Sequence, residues 1–304
     1  MVVSNKHAYR DRLKIRSSKV TILLPAALIL CCGVTVYPFY YVFLCSISAP
    51  AEVLKMSISF YPKGFSLNSY AMLVNDQDMW LAFMNSFIYI TAGTIINCIT
   101  ALLGAYPLSV KHMIHRKWVV RYLLVAMYFS GGIIPAYLLI SNLGLYNTRW
   151  AAIIPGAVSI WNIMIVRAFF SGIPDSLRDS AQMDGANHFR IMWNIYLPLS
   201  KSIMAVIAIY SIVGIWNGWF FSLLYHPSTE LHPLQMYLFR VLIQQTVDLS
   251  KLSFIEMKSA REKMIANAQL KYSMIIFTTA PIILTYPFFQ KFFIKGVMLG
   301  SLKE

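Results

Sequence analysis

Charged side chains are scarce in this chain, and that scarcity already indicates its class. Asp, Glu, Lys and Arg make up 12% of the 304 residues, whereas 58% of the residues are hydrophobic. Soluble domains carry about 25% charged residues, because polar groups must cover much of their surface. The composition therefore excludes a soluble enzyme, and the same hydrophobicity excludes a disordered chain. It predicts an integral membrane protein.

Motifs for nucleotide, metal and catalytic sites are also missing. No Gly-x-x-x-x-Gly-Lys-[Ser/Thr] loop is present, so we expect no ATP site and no enzymatic activity in this chain. The six histidines are scattered and the four cysteines lie in apolar stretches, so neither a metal site nor a disulfide framework is predicted. The net charge of +14 comes from basic residues that form no single dense face, which argues against a nucleic-acid partner.

Long runs without charged residues predict an all-α membrane protein with six transmembrane helices. A bilayer crossing takes about 20 residues, and its backbone polar groups must be satisfied within the helix. The predicted transmembrane domain covers 20–294, with spans at about 20–46, 81–110, 119–140, 151–171, 203–225 and 272–293. A basic tail precedes it at 1–19, and a second tail follows it at 295–304.

The basic residues are unevenly divided between the two sides that these spans define. Of the 26 lysines and arginines, 17 fall in the tails and in the second–third and fourth–fifth connections. Because lysine and arginine are retained on the cytoplasmic side, both termini are predicted to be cytoplasmic. The long connection between the fifth and sixth spans, at about 230–270, is then predicted to lie outside the cell.

The span interiors contain no Asp, Glu, Lys, Arg or His; Arg121, Arg167 and Lys291 lie close to the ends of their spans. Ion-driven carriers usually depend on a buried carboxylate or a relay of such groups. The pattern therefore argues against ion-driven transport, although the carbonyls of an unwound helix can also hold a cation.

The connection at 173–201 is the most informative segment outside the spans. Pro174 and Asp175 predict a helix start, with Asp175 or Ser176 as the N-cap, and Leu177, Ala181 and Met183 are predicted to form a narrow apolar side. Gly185 is predicted to form a left-handed corner. A second amphipathic helix should follow it, with an apolar face at helical spacing: Phe189, Met192, Trp193 and Tyr196. From this pattern alone, the segment is either a helix resting on lipid headgroups or a surface for a protein partner.

The residues of this segment resemble the EAA motif of binding-protein-dependent ABC importer permeases. The chain reads Asp179-Ser180-Ala181-Gln182-Met183-Asp184-Gly185-Ala186 and then Ile195-Tyr196-Leu197-Pro198. The motif reads approximately E-A-A-x-x-D-G-A, followed by I-x-L-P after about eight residues, which is the spacing found here. Asp179 replaces the usual glutamate and Ser180 replaces the first alanine, so the charge and the small size are kept.

Two further stretches are similar to the carbohydrate-uptake branch of that family. The C-terminal stretch Tyr286–Gly300 resembles the end of its complex-oligosaccharide and aldouronate permeases, and the stretch Gly214–Phe220 fits the same branch. The resemblance implies the permease subunit of an importer in a bacterial cell (inner) membrane. It also implies a second permease in a heterodimer, a dimer of ATPase subunits, an extracytoplasmic solute-binding protein and surrounding lipid as partners.

In such importers the EAA segment docks on the ATPase subunit, which binds ATP and Mg while the permease itself has no cofactor. The resemblance assigns ATPase coupling to Asp179, Ser180, Ala181, Asp184, Gly185, Ala186, Leu197 and Pro198. For the oligosaccharide path, aromatic planes and amides are the suitable groups, and the candidates are Trp216, Asn217, Trp219, Phe220 and Asn162. Helix packing or an interfacial aromatic belt is the alternative for these five residues, and the Gly214–Gly218 spacing itself predicts a close helix contact.

Three other functions are compatible with parts of the pattern. An importer of the same architecture for a different solute would share the EAA segment but not the C-terminal stretch. A membrane-embedded enzyme would need an acidic or histidine cluster at a membrane face, for which Asp175, Asp179 and Asp184 are the candidates. A constitutive channel would need no coupling segment.

Overall fold

The computed structural model describes residues 4–243 and 254–301, and this part of the chain is helical with no β-strand. An isolated bridge between Ser48 and Phe65 is the only β-type pairing among these residues. The α-helices are α1 (Ser4–Ser46), α2 (Pro50–Leu54), α3 (Asn68–Val74), α4 (Gln77–Ser109), α5 (Arg116–Tyr128), α6 (Ile133–Asn142), α7 (Trp150–Ile153), α8 (Ile160–Phe170), α9 (Asp175–Met183), α10 (His188–Ile191), α11 (Leu197–Leu199), α12 (Lys201–Trp216), α13 (Trp219–Tyr225), α14 (Leu234–Ile243) and α15 (Phe254–Ser301). A π-helical turn (Met192–Tyr196) joins α10 to α11, and a 3₁₀ turn (Thr229–Leu231) lies between α13 and α14.

The described residues fall into two compact units. The first contains residues 4–72 and 254–276, and the second contains residues 73–243 and 277–301. The predicted tails at 1–19 and 295–304 belong in part to the helices α1 and α15, and their remaining residues, 1–3 and 302–304, lie outside the described residues.

The first unit is held together by a small apolar core and a buried amide. The core side chains are those of Leu44, Cys45, Val53, Ile58 and Ala268. The Gln269 amide donates to the carbonyls of Ser46 (2.9 Å) and Ser66 (2.6 Å), and its oxygen accepts from the Ser69 hydroxyl at 2.8 Å. Because a buried amide is costly unless it is hydrogen-bonded, this network fixes the 47–69 connection to α15.

The second unit is organised around α4, which packs against α8 and α12. Glycines allow the close approach: a Cβ at Gly93 would meet Cδ1 of Ile215 at 2.6 Å, and one at Gly104 would meet Cδ1 of Ile163 at 3.0 Å. The predicted close contact at Gly214 is not made within the described chain, since a Cβ there would meet nothing within 4 Å. The small residues that bring the helices together are therefore on α4.

Three of the predicted spans are broken rather than continuous. The third is divided into α5 and α6, which meet at 108° where Gly132 has φ +90°. The fourth is divided into α7 and α8 around Pro155 and Gly156, and the fifth into α12 and α13 around Gly218. Glycine and proline are the weakest helix formers, and an apolar composition does not reveal the breaks that they cause.

Two described helices are long and apolar enough to cross a membrane: residues 23–46 of α1, and α4. The number rises to four if each bent pair is one crossing, namely α5 with α6 and the 188–199 segment with α12. The helical fold agrees with the prediction, while the count of six crossings and the orientation stay predictions.

Candidate functional site

The 173–201 segment folds as two short helical pieces with a glycine corner. The first piece is α9, and Gly185 follows it with φ +78°, as the sequence predicts. α9 begins at Asp175 after Pro174, but no side chain caps its N-terminus. The Asp175 carboxylate instead lies 2.7 Å from Nζ of Lys111 and 3.4 Å from Nη1 of Arg178. This ion pairing takes the place of the expected N-cap.

Arg178, not an apolar side chain, anchors α9. Its side chain is 7% exposed and donates to Oδ1 of Asp179 from Nε (3.2 Å) and from Nη2 (3.0 Å). The predicted apolar side is wrong for Leu177 and Met183, which are 44% and 89% exposed, whereas Ala181 packs against the core. A buried arginine needs paired carboxylates, and the two that flank it in the same helix supply them.

The second helical piece is amphipathic, although only half of its predicted face is buried. Met192 and Tyr196 are buried, and the Tyr196 ring meets Phe170 edge-on at 5.2 Å. Phe189 and Trp193 are exposed and stack on each other with ring centroids 6.1 Å apart. The wide π turn precedes Pro198, whose ring crowds the helical carbonyl four residues earlier and which has no amide proton to donate.

The residues that the motif match assigns to coupling are divided between the surface and the core. The exposed ones are Asp179, Ser180, Asp184, Gly185 and Pro198, and the half-buried ones are Ala181, Ala186 and Leu197. A Cβ at Gly185 would meet nothing within 4 Å, so the corner faces open space. Asn187 caps α10, since its side-chain oxygen accepts from the Arg190 amide at 2.8 Å. The small side chains of the segment are therefore available to an external surface.

A cleft of about 900 Å³ opens beside this segment, between it and the α4–α5 connection. Arg178, Asp179 and His188 line one wall, while Tyr106 and His112 line the other. The Tyr106 hydroxyl lies 3.2 Å from Nδ1 of His188 and links the two walls. The cleft has room for a side chain of a partner protein.

A second cavity, of about 670 Å³, lies among the helices of the second unit. Four aromatic residues line it: Tyr89, Trp161, Tyr210 and Phe221. Hydroxyl and amide groups complete the lining: Ser86, Asn97, Ser159, Asn162, Ser211 and Ser222. Aromatic planes next to neutral hydrogen-bonding groups suit a polar solute that also has apolar C–H faces.

Three polar side chains of this lining form a node between α4, α8 and α12. Nδ2 of Asn162 donates to Oδ1 of Asn97 at 2.7 Å, and the Ser211 hydroxyl donates to the same oxygen at 3.1 Å. The Asn97 amide nitrogen donates to the Gly156 carbonyl at 3.0 Å. We call these three residues, Asn97, Asn162 and Ser211, the amide node; it satisfies buried polar groups and joins the three helices.

Of the five residues predicted for the solute path, Asn162 alone lines this cavity. The Trp216 indole is buried and donates to the Thr278 carbonyl at 3.2 Å, and Trp219 stacks on Phe239 at 4.3 Å. Phe220 contacts the edge of Trp219, and Asn217 is exposed at the α12–α13 break. Packing is thus the visible role of both tryptophans.

The aromatic residues that line the cavity were not predicted from the sequence, because they are dispersed over four helices. Trp161 stands directly before Asn162, and Tyr210 directly before Ser211. An aromatic residue next to a polar one within an apolar run was the signal that could have found these two. Phe221 carries the same signal, since it stands directly before Ser222, whereas Tyr89 lies between two isoleucines and carries none.

Hydrogen bonds and ring stacking hold the connection between α13 and α14 in place at one end of the cavity. Nε2 of His226 lies 3.0 Å from the Thr148 carbonyl, and its ring stacks on Tyr89. The Asn85 amide donates to the Glu230 carbonyl at 2.6 Å. Burial lowers the pKa of His226 below its ordinary 6.5, which favours the neutral imidazole.

The chain is similar to known proteins in both sequence and structure. A family described as "Binding-protein-dependent transport system inner membrane component" matches residues 109–298. Protein LplC of Bacillus subtilis (strain 168) is 36% identical over 89% of this chain and 90% of its own length. The polygalacturonan/rhamnogalacturonan transport system permease protein YtcP of the same organism is 33% identical over 89% of this chain and 93% of its own.

A solved structure is similar over nearly the same extent. It belongs to a bacterial ABC transporter involved in the import of the acidic polysaccharide alginate, and the chain matches it with a TM-score of 0.80 and 28% identity. The match covers 91% of this chain and 98% of that one.

Proposed function

The chain belongs to the family of binding-protein-dependent transport system inner membrane components, and from this membership we propose that it is the permease subunit of an ATP-driven oligosaccharide importer. The solute is delivered by an extracytoplasmic solute-binding protein, and a separate ATPase subunit docks on the 173–201 segment. The observation that carries the proposal is the exposed glycine corner of that segment, which presents the motif residues to a partner.

The exposed surface of the segment fits a protein partner better than water. Leu177, Met183, Phe189 and Trp193 leave apolar area uncovered, and the carboxylates of Asp179 and Asp184 lie on the same stretch. Exposed apolar groups rimmed by charge are typical of interaction sites, where aromatic residues contribute much of the binding energy.

ATP and Mg²⁺ are assigned to the ATPase partner, because this sequence contains no phosphate-binding loop. A membrane-embedded enzyme is less well supported, since Asp175 and Asp179 are already paired with Lys111 and Arg178. Carboxylates held in ion pairs are poor candidates for a reactive acid–base pair.

The aromatic cavity is the part of the solute path that this subunit contributes. Sugars place C–H faces on aromatic planes and hydroxyls on amides, and the lining provides both. The oligosaccharide class rests on the relatives, which include a polygalacturonan/rhamnogalacturonan permease and a transporter involved in the import of alginate. A second permease in a heterodimer supplies the opposite wall, and the complex lies in the bacterial inner membrane with both termini of this chain in the cytoplasm.

Reconstitution tests the proposal. The chain is co-expressed with a second permease and an ATPase, placed in proteoliposomes and supplied with a binding protein loaded with pectin- or alginate-derived oligosaccharides. We expect stimulated ATP hydrolysis and sugar uptake, and no hydrolysis by the isolated chain. ATP hydrolysis by the isolated chain would reject the assignment as a permease subunit. Stimulation of ATP hydrolysis solely by an amino-acid-loaded binding protein would reject an oligosaccharide as the solute.

Single cysteines test the orientation in a background without the four native cysteines. Thr229 and Ser180 are both exposed and lie on opposite sides in the proposed topology. Membrane-impermeant reagent added to spheroplasts should label Thr229→Cys and spare Ser180→Cys. The reverse pattern would invert the topology.

A further inference from the structure

A group of basic side chains at the start of α5 has no part in the transport mechanism proposed above. Together with Trp118, the residues Arg116, Lys117, Arg121 and Arg167 line a cavity of about 680 Å³. We call these four basic residues and Trp118 the α5 basic pocket. Among the described residues, none of these four cations forms an ion pair with a carboxylate, whereas Lys111, which also lines the cavity, is paired with Asp175.

One backbone carbonyl brings two of these cations together. Nε of Arg116 donates to the Leu108 carbonyl at 2.8 Å, and Nε of Arg167 donates to the same oxygen at 3.1 Å. This carbonyl belongs to the last turn of α4, where helical partners run out. A carbonyl carries only a partial negative charge, so two adjacent guanidinium groups stay uncompensated and repel each other.

The start of α5 adds to this positive field. The first turn of the helix has no acidic residue and no side-chain cap, so the positive end of its dipole, at the lining residues Arg116 and Lys117, is uncompensated. The Arg121 guanidinium lies 5.0 Å from the centre of the Trp118 ring, which keeps the positive charge next to an aromatic plane. Such a site favours a compact anion with several acceptor oxygens, and phosphate is the group that arginine forks fit best.

An apolar strip continues from the pocket along the exposed face of α5. Trp118, Tyr122, Val125 and Phe129 follow one another at helical spacing and are 67%, 73%, 57% and 77% exposed. Tryptophan and tyrosine prefer the headgroup level of a bilayer, and valine and phenylalanine suit the acyl region below it. The charged pocket and the adjoining strip are therefore complementary to the two parts of one phospholipid.

We propose that the α5 basic pocket binds the phosphate of an anionic phospholipid headgroup, with the acyl chains lying along the α5 strip. Lys111, which lines the same cavity, lies 2.7 Å from the Asp175 carboxylate of α9, which places the lipid beside the surface assigned to the ATPase. The proposal does not depend on which solute the importer carries.

Lipid retention by the purified full chain tests the site. The chain is delipidated in detergent and titrated with phosphatidylglycerol or phosphatidylcholine, and bound lipids are counted by native mass spectrometry. Lys117 and Arg121 are exposed, so the double variant Lys117→Gln/Arg121→Gln should fold. We expect wild type to retain phosphatidylglycerol over phosphatidylcholine, and the double variant to bind phosphatidylglycerol about 10- to 30-fold more weakly.

A control variant with the same loss of charge distinguishes binding at a specific site from non-specific electrostatic attraction of the lipid. Arg190→Gln/Lys201→Gln removes two exposed cations from the second coupling piece and the start of α12, and it should change binding less than about twofold. Equal retention of the two lipids, or equal loss in both double variants, would overturn the proposal. Displacement of the lipid by excess inorganic phosphate would show a free-phosphate site, and displacement by the ATPase subunit would show a protein contact; either outcome would also overturn it.

Discussion

Substitution of Gly185 is the sharpest perturbation of the coupling segment. The residue has φ +78°, in the left-handed region that glycine adopts freely and other L-residues adopt at a cost of about 1–2 kcal/mol. A Cβ built there meets nothing within 4 Å, so the isolated chain offers no steric objection and the cost is backbone strain alone. If the ATPase requires this corner, the strain should weaken its binding about 5- to 30-fold.

Backbone strain predicts an order among substitutions that side-chain volume does not. Asparagine tolerates the left-handed region, alanine does so less well, and a β-branched valine is the least suited. We therefore expect ATPase association to fall in the order Gly185, Gly185→Asn, Gly185→Ala and Gly185→Val. Asparagine is larger than alanine, so a loss that follows size would place Gly185→Asn below Gly185→Ala.

The assay is pull-down of the ATPase subunit, with sugar uptake into proteoliposomes measured in parallel. Gly33→Ala is the matched control, because Gly33 lies in α1 without a positive φ and has nothing within 4 Å of its Cβ position. Asn187→Ala is unsuitable as a control, since it removes the N-cap of α10. Wild-type association and uptake by Gly185→Val would refute the docking role of the corner.

Three further predictions concern the cavity, the anchor of α9 and the connection between α13 and α14. Trp161→Ala should raise the KM for sugar uptake about 10-fold, whereas Phe220→Ala, outside the cavity, should leave it nearly unchanged in the same assay. Arg178→Ala should destabilise α9 by about 1–3 kcal/mol, measured as faster amide exchange over 173–201, and Arg178→Lys should restore part of the protection. Burial lowers the pKa of His226 and His232 below 6.5, so the unfolded chain binds protons at a higher pH than the folded chain does. The stability that is present above pH 6.5 is therefore lost as the pH falls below it. In thermal unfolding measured over a pH series, His226→Gln should reduce this loss.

The glycine corner could be predicted because the signal is local. A glycine between two helix-favouring stretches has few roles other than a left-handed turn, and Gly185 adopts one. The breaks at Gly132 and Gly218 are equally local, but they lie inside runs whose hydrophobicity alone predicts a continuous span. The hydrophobic composition of these runs predicts a continuous helix so strongly that the helix-breaking effect of a single glycine is not apparent from the sequence.

The environment of some residues could not be predicted from the sequence because it is set by distant parts of the chain. Arg178 looks like a solvated cation in the sequence, and it is buried because Asp175, Asp179 and the helices around Tyr196 enclose it. Trp216 and Trp219 stand in a dense aromatic stretch, but neither lines the cavity: Trp216 donates to the Thr278 carbonyl, and Trp219 stacks on Phe239. Neither pairing could be inferred from spacing along the chain.

The amide node has a consequence for how the three helices around it can separate. Its bonds are made by neutral amides and a hydroxyl, which are groups that a sugar hydroxyl can replace one for one. Pulling α8 or α12 away from α4 in an empty cavity would strand buried donors and acceptors, whereas a hydroxylated solute beside Asn97 could take over their bonds. The amide node would then make separation of the helices costly in the absence of sugar and less costly in its presence, without any change of protonation.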